Sequence, residues 1–331
     1  MRSVAEADVS GKKVIVRGDL DLAEENGHIE SYRLDRMIPT LRDILDRGGA
    51  IRLIAHHGRP EGQVVPNLSL QEFIPLLSDK LGTTVNFAGD LTQNPDPSGP
   101  INLFENLRFS PGEESNDPQF VNSLSQLGEL YVNECFSTSH RDEASITALP
   151  KLLPHFAGLN LMREVEELTK VLENPAHPLV IIIGGAKLET KRPIIDFMQD
   201  VADQILVGST FADQGLAPTD KIILPTDSIG DGKDIGQATV DHFKQVIGSA
   251  KTIVWNGPLG AYEDPQFAGG TRAIAQSIVN SSAYSVVGGG DTIAALDEMG
   301  LMDKISFVST GGGAMLEFLS GQKLPGLVAL G

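Results

Sequence analysis

Apolar residues fall along this chain in two alternating patterns: short continuous runs, and longer stretches in which they recur every three or four positions. The runs suit strands buried on both faces, and the stretches suit amphipathic helices between them. Lys13-Val14-Ile15-Val16-Arg17 predicts a first strand. Beyond Tyr32, the residues Leu34, Met37, Ile38, Leu41, Ile44 and Leu45 predict a helix that bends at Pro39 and ends at Gly48-Gly49. Ile51 to Ala55 predicts the next strand, which makes strand, helix and strand a parallel βαβ unit. The rhythm continues with a helix over Leu68 to Leu81 and strands over Thr84 to Phe87, Ile101 to Phe104 and Leu130 to Asn133. Asp117-Pro118 starts a further helix, with an acid at the N-cap and proline in the first turn.

From Met162 to Leu172 the helical pattern is charged (Glu164, Glu166, Glu167, Lys170) and leads to Pro175 and Pro178, which predicts a connecting helix between two domains. Strands are then expected at Leu179 to Ile183, Gln204 to Val207, Lys221 to Leu224, Thr252 to Trp255, Tyr284 to Val287 and Ile305 to Val308. Helices are expected over Asp264 to Val279 and Thr292 to Met299. The expected fold is α/β, with two doubly wound, Rossmann-like parallel-sheet domains.

The most informative stretch is Tyr284 to Leu319, which repeats one design: apolar run, glycine cluster, helical pattern. It contains Gly288-Gly289-Gly290-Asp291-Thr292 and then Ser309-Thr310-Gly311-Gly312-Gly313-Ala314. Glycine lets the backbone turn sharply and approach a ligand, and the helix that follows offers free N–H groups and a positive dipole end. The natural guest is a phosphate, and two such turns suggest a polyphosphate; tight strand-to-helix packing alone would leave the same pattern.

Composition narrows the classes. A length of 331 residues holds two domains with their own cores, and no apolar run approaches the roughly 18 residues of a membrane span. Met1 to Lys13 lacks the regions of a signal peptide, so a cytoplasmic location is expected. Cys135 is the single cysteine, which excludes a disulfide framework and a thiolate metal site. The formal charge of -18 argues against nucleic-acid binding. Yet ten arginines precede residue 150 and three follow it. Arg17, Arg59, Arg108 and Arg141 each close or follow a predicted strand, where a parallel sheet binds its ligand. Lys187 and Lys191 lie one helical turn apart after Gly184-Gly185-Ala186. They suit a phosphoryl group in transfer, although two solvated helix lysines would look the same.

Arg17-Gly18-Asp19-Leu20-Asp21, His56-His57-Gly58-Arg59-Pro60, Glu105-Asn106-Leu107-Arg108-Phe109, Gly184-Gly185-Ala186-Lys187 with Lys191, Trp255-Asn256-Gly257-Pro258-Leu259-Gly260 and the two glycine clusters above, taken in order, closely resemble phosphoglycerate kinases. The resemblance covers nearly the whole chain. It implies reversible phosphoryl transfer between ATP and 3-phosphoglycerate, giving ADP and 1,3-bisphosphoglycerate, by in-line attack of the substrate carboxylate as two domains close across a cleft. It implies a phosphoglycerate-binding domain over 1–156, a hinge and connecting helix over 157–175 and a nucleotide-binding domain over 176–315. The segment 316–331 is expected to pack back on the first domain, and the Ser309-Thr310 turn to join the hinge. A monomer with small-molecule partners only is expected.

By the same resemblance, Asp19, Leu20 and Asp21 would lie against the glycerate. Arg33, His56, His57, Gly58, Arg59, Arg108, His140 and Arg141 would hold its phosphate and carboxylate, with Arg33 nearest the transferring group. Lys191 would meet the transferring phosphoryl group and Lys187 the nucleotide phosphates, with Gly184, Gly185, Gly208, Gly289, Gly290 and Thr292 around them. Gly236 and Glu263 would touch the adenosine with Asn256 nearby, Asp291 would reach Mg²⁺, and Gly311, Gly312 and Gly313 would face the phosphoryl group.

The chain departs from the family in four places, one of them Met315, which replaces a small polar residue next to the last glycine turn. An asparagine is usual where Asp21 stands, and a second carboxylate beside Asp19 repels an anionic substrate unless a hydroxyl or a neighbouring arginine engages it. Gly208-Ser209-Thr210-Phe211-Ala212 and a short Asp213 to Asp220 connection leave no room for a helix near the nucleotide base. The loop from Asp90 to Gly99 is short as well. A nucleotide-binding regulator of the same fold is the alternative. A dinucleotide oxidoreductase does not fit, since Ile293 and Leu316 stand where a third glycine belongs, and there is no P-loop.

Overall fold

The apolar runs become the strands of two parallel sheets. The structure is a computed structural model that describes residues 1–22, 24–25, 28–29, 31–91 and 97–331. Residues 92–96 of the 90–99 loop therefore lie outside the described residues. The chain divides into two units, Met1–Val165 with Lys323–Gly331, and Glu166–Gln322.

In the first unit, β1 (Lys13–Arg17), β2 (Ala50–Ile54), β3 (Asn86–Gly89), β4 (Ile101–Phe104), β5 (Leu130–Asn133) and β6 (His155–Ala157) form a parallel sheet in the order β3-β4-β2-β1-β5-β6. The central strands are buried on both faces, as their uninterrupted apolar sequences require. Helix α1 (Tyr32–Asp46) buries Leu34, Met37, Ile38, Leu41 and Ile44 against them. It runs unbroken through Pro39, which sits on its exposed side. The helix expected over 68–81 is instead two 3₁₀ turns, Pro66–Leu68 and Leu70–Phe73, followed by α2 (Ile74–Leu81). Pro75 has no N–H to donate and is tolerated in a first helical turn, so the α-helix begins there. As expected, Asp117 caps α3 (Pro118–Ser125) by accepting from the Gln119 and Phe120 amides.

Past β5, Glu134 is fully buried. It accepts the Thr40 hydroxyl at 2.7 Å and the Asn160 amide at 3.1 Å, at the start of α4 (Leu159–Glu173). Burial pushes its pKa up to about 8, against those hydrogen bonds. The unit boundary falls inside α4. Residues 323–331 complete the first unit: α10 (Pro325–Ala329) lies on the turn Ala144–Ala148, with the Gly326 amide on the Ser139 carbonyl at 2.8 Å.

In the second unit, β7 (Leu179–Ile183), β8 (Gln204–Val207), β9 (Ile222–Ile223), β10 (Thr252–Asn256), β11 (Tyr284–Gly288) and β12 (Phe307–Val308) form a parallel sheet in the order β9-β8-β7-β10-β11-β12. This is the doubly wound order whose direction reverses between its first and fourth strands, where such folds bind ligands. Around it run α5 (Leu188–Met198), α6 (Gln237–Ser249), α7 (Gly269–Asn280), α8 (Gly290–Glu298) and α9 (Gly312–Leu319). Helix α6 has no counterpart among the predicted elements, although Val240, Phe243, Val246 and Ile247 line its buried face. A single helical turn, Thr210–Asp213, stands between β8 and β9.

Candidate functional site

In each unit the candidate residues lie past the carboxyl ends of the central strands. The first unit gathers bases and acids there. Arg17 ends β1 and is fully buried; its Nε donates to Ser145 Oγ at 2.8 Å and its Nη2 lies 3.0 Å from His56 Nδ1. A guanidinium can only donate, so His56 Nδ1 accepts and Nε2 carries the proton. Burial, followed by the Arg17 and Arg108 charges, holds His56 well below its ordinary pKa, and the ring is neutral. Arg17 thus serves the site from within, by fixing this tautomer.

Asp19 is buried and accepts the Ser137 hydroxyl at 2.6 Å, which ties the end of β1 to the segment after β5. Leu20, expected against the glycerate, is fully buried with its side chain in the core, beneath the site rather than facing it. Asp21, the departure from the family, accepts the Gly58 amide at 2.8 Å and stands 3.7 Å from both His56 Nε2 and His57 Nδ1. Burial alone would raise its pKa, but His57, the Gly58 amide and Arg33 outweigh that and hold the carboxyl well below its ordinary value. Its charge is therefore met within the chain. Arg33, in the first turn of α1, donates to the Asp21 carbonyl at 2.8 Å and lies 3.8 Å from Asp19 Oδ1.

Arg108 is buried, donating to the Gly58 carbonyl at 3.0 Å and to Glu143 at 2.7 Å. Arg141 is half-buried, 3.5 Å from the same Glu143 oxygen, and His140 precedes it. Arg59 is exposed and has no ion-pair partner among the described residues. The cluster thus unites Arg33, His56, His57, Gly58, Arg108 and Arg141, with Arg59 on the same loop. Sequence reading missed Glu143, because an acid two residues past an arginine looks like ordinary surface charge.

The second unit builds its site from main chain. The turns after β7 and β10 touch: the Gly185 amide donates to the Pro258 carbonyl at 2.8 Å. Gly257 has φ +88°, and a Cβ on it would stand 2.3 Å from the Gly184 carbonyl oxygen, so no other residue fits. Trp255 is fully buried in β10 and donates its indole N–H to the Gly257 carbonyl at 2.8 Å, while Thr292 Oγ1 accepts the Gly257 amide at 2.8 Å. Thr292, expected on the phosphates, is buried and braces this turn. Lys191 reaches back from α5 to Asn256 Oδ1 at 2.5 Å; burial lowers its pKa and Asp291 opposes this. Asn256 Nδ2 is buried with no hydrogen-bond partner, a donor available to an anion. Lys187 occupies the N-cap of α5 and is exposed.

The two glycine clusters meet, since a Cβ on Gly312 would lie 2.7 Å from Gly289 Cα. Gly289 and Gly311 are the N-caps of α8 and α9, and neither helix has a side-chain cap. Gly290 and Gly313 are exposed beside them. A cavity of about 310 Å³ is lined by Gly185, Thr210, Lys233, Leu259, Glu263 and Asp291 among others. Gly208 is buried behind it. Gly236 lies outside this lining, at the N-cap of α6, whose Ala238 and Thr239 amides are already taken by Asp227. Lys233 was not foreseen, and nothing in its sequence surroundings marks it.

Comparison with known proteins agrees with this geometry. A sequence model of the phosphoglycerate kinase family matches residues 4–214 and 209–322. A phosphoglycerate kinase of Methylorubrum extorquens (strain PA1) is 37% identical, covering 97% of this chain and 96% of the relative. The solved phosphoglycerate kinase of Coxiella burnetii superposes with a TM-score of 0.84 at 33% identity, over 99% of this chain and 98% of that one. That of Pyrococcus horikoshii OT3 gives 0.87 at 27% identity, over 100% and 98%. Both sheets and nearly every predicted motif are covered by these matches, and the chain belongs to the phosphoglycerate kinase family.

Proposed function

We propose that the protein catalyses reversible phosphoryl transfer between ATP and 3-phosphoglycerate, giving ADP and 1,3-bisphosphoglycerate. The observation that carries this reading is Lys191 set on Asn256 beside two uncapped glycine turns, a phosphate site without a P-loop. Its counterpart is the arginine cluster at the end of β1, which suits a small acceptor with two anionic groups.

Arg59, Arg108 and Arg141 hold the phosphate and carboxylate of 3-phosphoglycerate, with Arg33 nearest the transferring group. Neutral His56 donates through Nε2, and Asp19 accepts from the glycerate hydroxyl. The acceptor carboxylate has a pKa of roughly 4 and is already a nucleophile at neutral pH, so no general base is needed. Lys191 meets the charge that spreads over the peripheral oxygens in transfer, and the amides of Gly311 to Gly313 face the same group. Glu263, at the rim of the cavity, takes the ribose hydroxyls.

Asp291 is exposed in the first turn of α8, and no group of three His, Cys, Asp or Glu side chains among the described residues could hold a metal ion by itself. This donor set fits Mg²⁺, which binds through one or two carboxylates together with substrate phosphates. Asp291 would hold Mg²⁺ there, where the ion would supply positive charge against the phosphates. No helix among the described residues is long and apolar enough to cross a membrane, and we place the protein in the cytoplasm as a monomer.

A dehydrogenase-coupled assay with ATP and 3-phosphoglycerate tests this function. Turnover is expected, and Lys191→Ala is expected to lower kcat by about 10²–10³-fold while nucleotide still binds. Wild-type protein without turnover, or Lys191→Ala with unchanged kcat, refutes it.

A further inference from the structure

The chemistry above leaves one carboxylate of the anion cluster without a part. Glu143 is 4% exposed. Its Oε1 accepts from Arg108 Nη2 at 2.7 Å and lies 3.5 Å from Arg141 Nη1, so one oxygen bridges two guanidiniums of the acceptor site. Its Oε2 is buried with no hydrogen-bond partner. A carboxylate kept only for structure would satisfy both oxygens, since leaving one unpaired away from water is costly. An anionic oxygen between two guanidiniums is also what a phosphate or carboxylate ligand would present. Glu114 Oε1 adds a second acid 3.5 Å from Arg108 Nε, whereas Arg59 has no counter-ion among the described residues.

We propose that Glu143 is a resident competitor for Arg108 and Arg141, and thereby a specificity-determining residue of the acceptor site. An anion settling on these arginines must displace Glu143 or sit beside a like charge. An anion with a single charged group gains little from that exchange. One with a phosphate and a carboxylate reaches Arg59 and the His56 side as well, so the resident acid selects two-headed ligands over sulfate or inorganic phosphate.

The inference rests on the reading of this cluster as the 3-phosphoglycerate site. Its test is Glu143→Gln, close in size and uncharged, in the coupled assay with sulfate as an inhibitor competitive with 3-phosphoglycerate. Removing a charge this near to two arginines is expected to strengthen sulfate inhibition roughly tenfold. The KM for 3-phosphoglycerate is expected to fall by roughly threefold, with kcat and the KM for ATP within about twofold of wild type. A purely structural Glu143 would instead raise the 3-phosphoglycerate KM and lower kcat. That outcome, or unchanged sulfate inhibition, overturns the proposal. If Glu143→Gln does not fold, Glu114→Gln, at a half-exposed position on the same guanidinium, is expected to strengthen sulfate inhibition about twofold, and no change there overturns it. A wild type that binds sulfate in calorimetry but turns over nothing removes the kinase reading, while Glu143→Gln still decides the competition through sulfate affinity.

Discussion

On the function proposed above, the two units hold a phosphate by opposite means. The first uses side chains and surrounds its bases with acids: Arg33 with Asp19 and Asp21, Arg108 and Arg141 with Glu143. The second uses main chain and keeps it bare, in glycine turns where Gly257 tolerates no Cβ and helices α8 and α9 lack side-chain caps. A side-chain site can be tuned by neighbouring charge one residue at a time. A main-chain site depends on what is kept out of it.

The contrast breaks first at the arginines. Arg108→Ala leaves buried Glu143 without its close partner, and stability should fall on the order of 3–5 kcal/mol as anion binding is lost. Arg59→Ala, at an exposed site, should leave stability within about 0.5 kcal/mol and raise the KM for 3-phosphoglycerate tenfold or more. Thermal melts with the coupled assay separate the two, and equal melting losses would show that charge compensation is not what organises this unit. In the second unit, Gly257→Ala forces a side chain into left-handed backbone against the Gly184 carbonyl. It should cost on the order of 1–3 kcal/mol and raise the KM for ATP, leaving that for 3-phosphoglycerate unchanged. A neutral Gly257→Ala would undo the main-chain account.

The smallest effect concerns an acid of the first unit that faces no base. Glu134 has its pKa raised in the folded chain to about 8, so the fold binds its proton more tightly than the unfolded chain does. Its contribution is complete below the ordinary glutamate pKa and is lost as pH rises through about 8. Melting temperature should therefore decline between about pH 5 and 8 in wild type, and less steeply in Glu134→Gln.

The residues that could be read from the sequence were those whose roles are set locally. Leu179 to Ile183 spells a strand buried on both faces, and Gly288 to Gly290 spells a turn before a helix, whatever surrounds them. What could not be read depends on partners far along the chain. Arg17 ends a strand as an anion-binding arginine should, and only Ser145 and His56 reveal that it is enclosed. Asp21 is repulsive to an anion on sequence alone, and only the fold sets the Gly58 amide and Arg33 beside it. Helix α6 shows the other limit: its apolar positions were visible, but no capping side chain precedes Gln237, because the cap comes from Asp227, ten residues back.

The chain has a single tryptophan, and its indole is hydrogen-bonded to the Gly257 carbonyl in the turn proposed to face the nucleotide. Intrinsic emission excited at the red edge of protein absorbance therefore comes from the second sheet alone. Titrating ATP or denaturant while watching that one fluorophore follows the glycine-built half in isolation, and the arginine-built half stays dark.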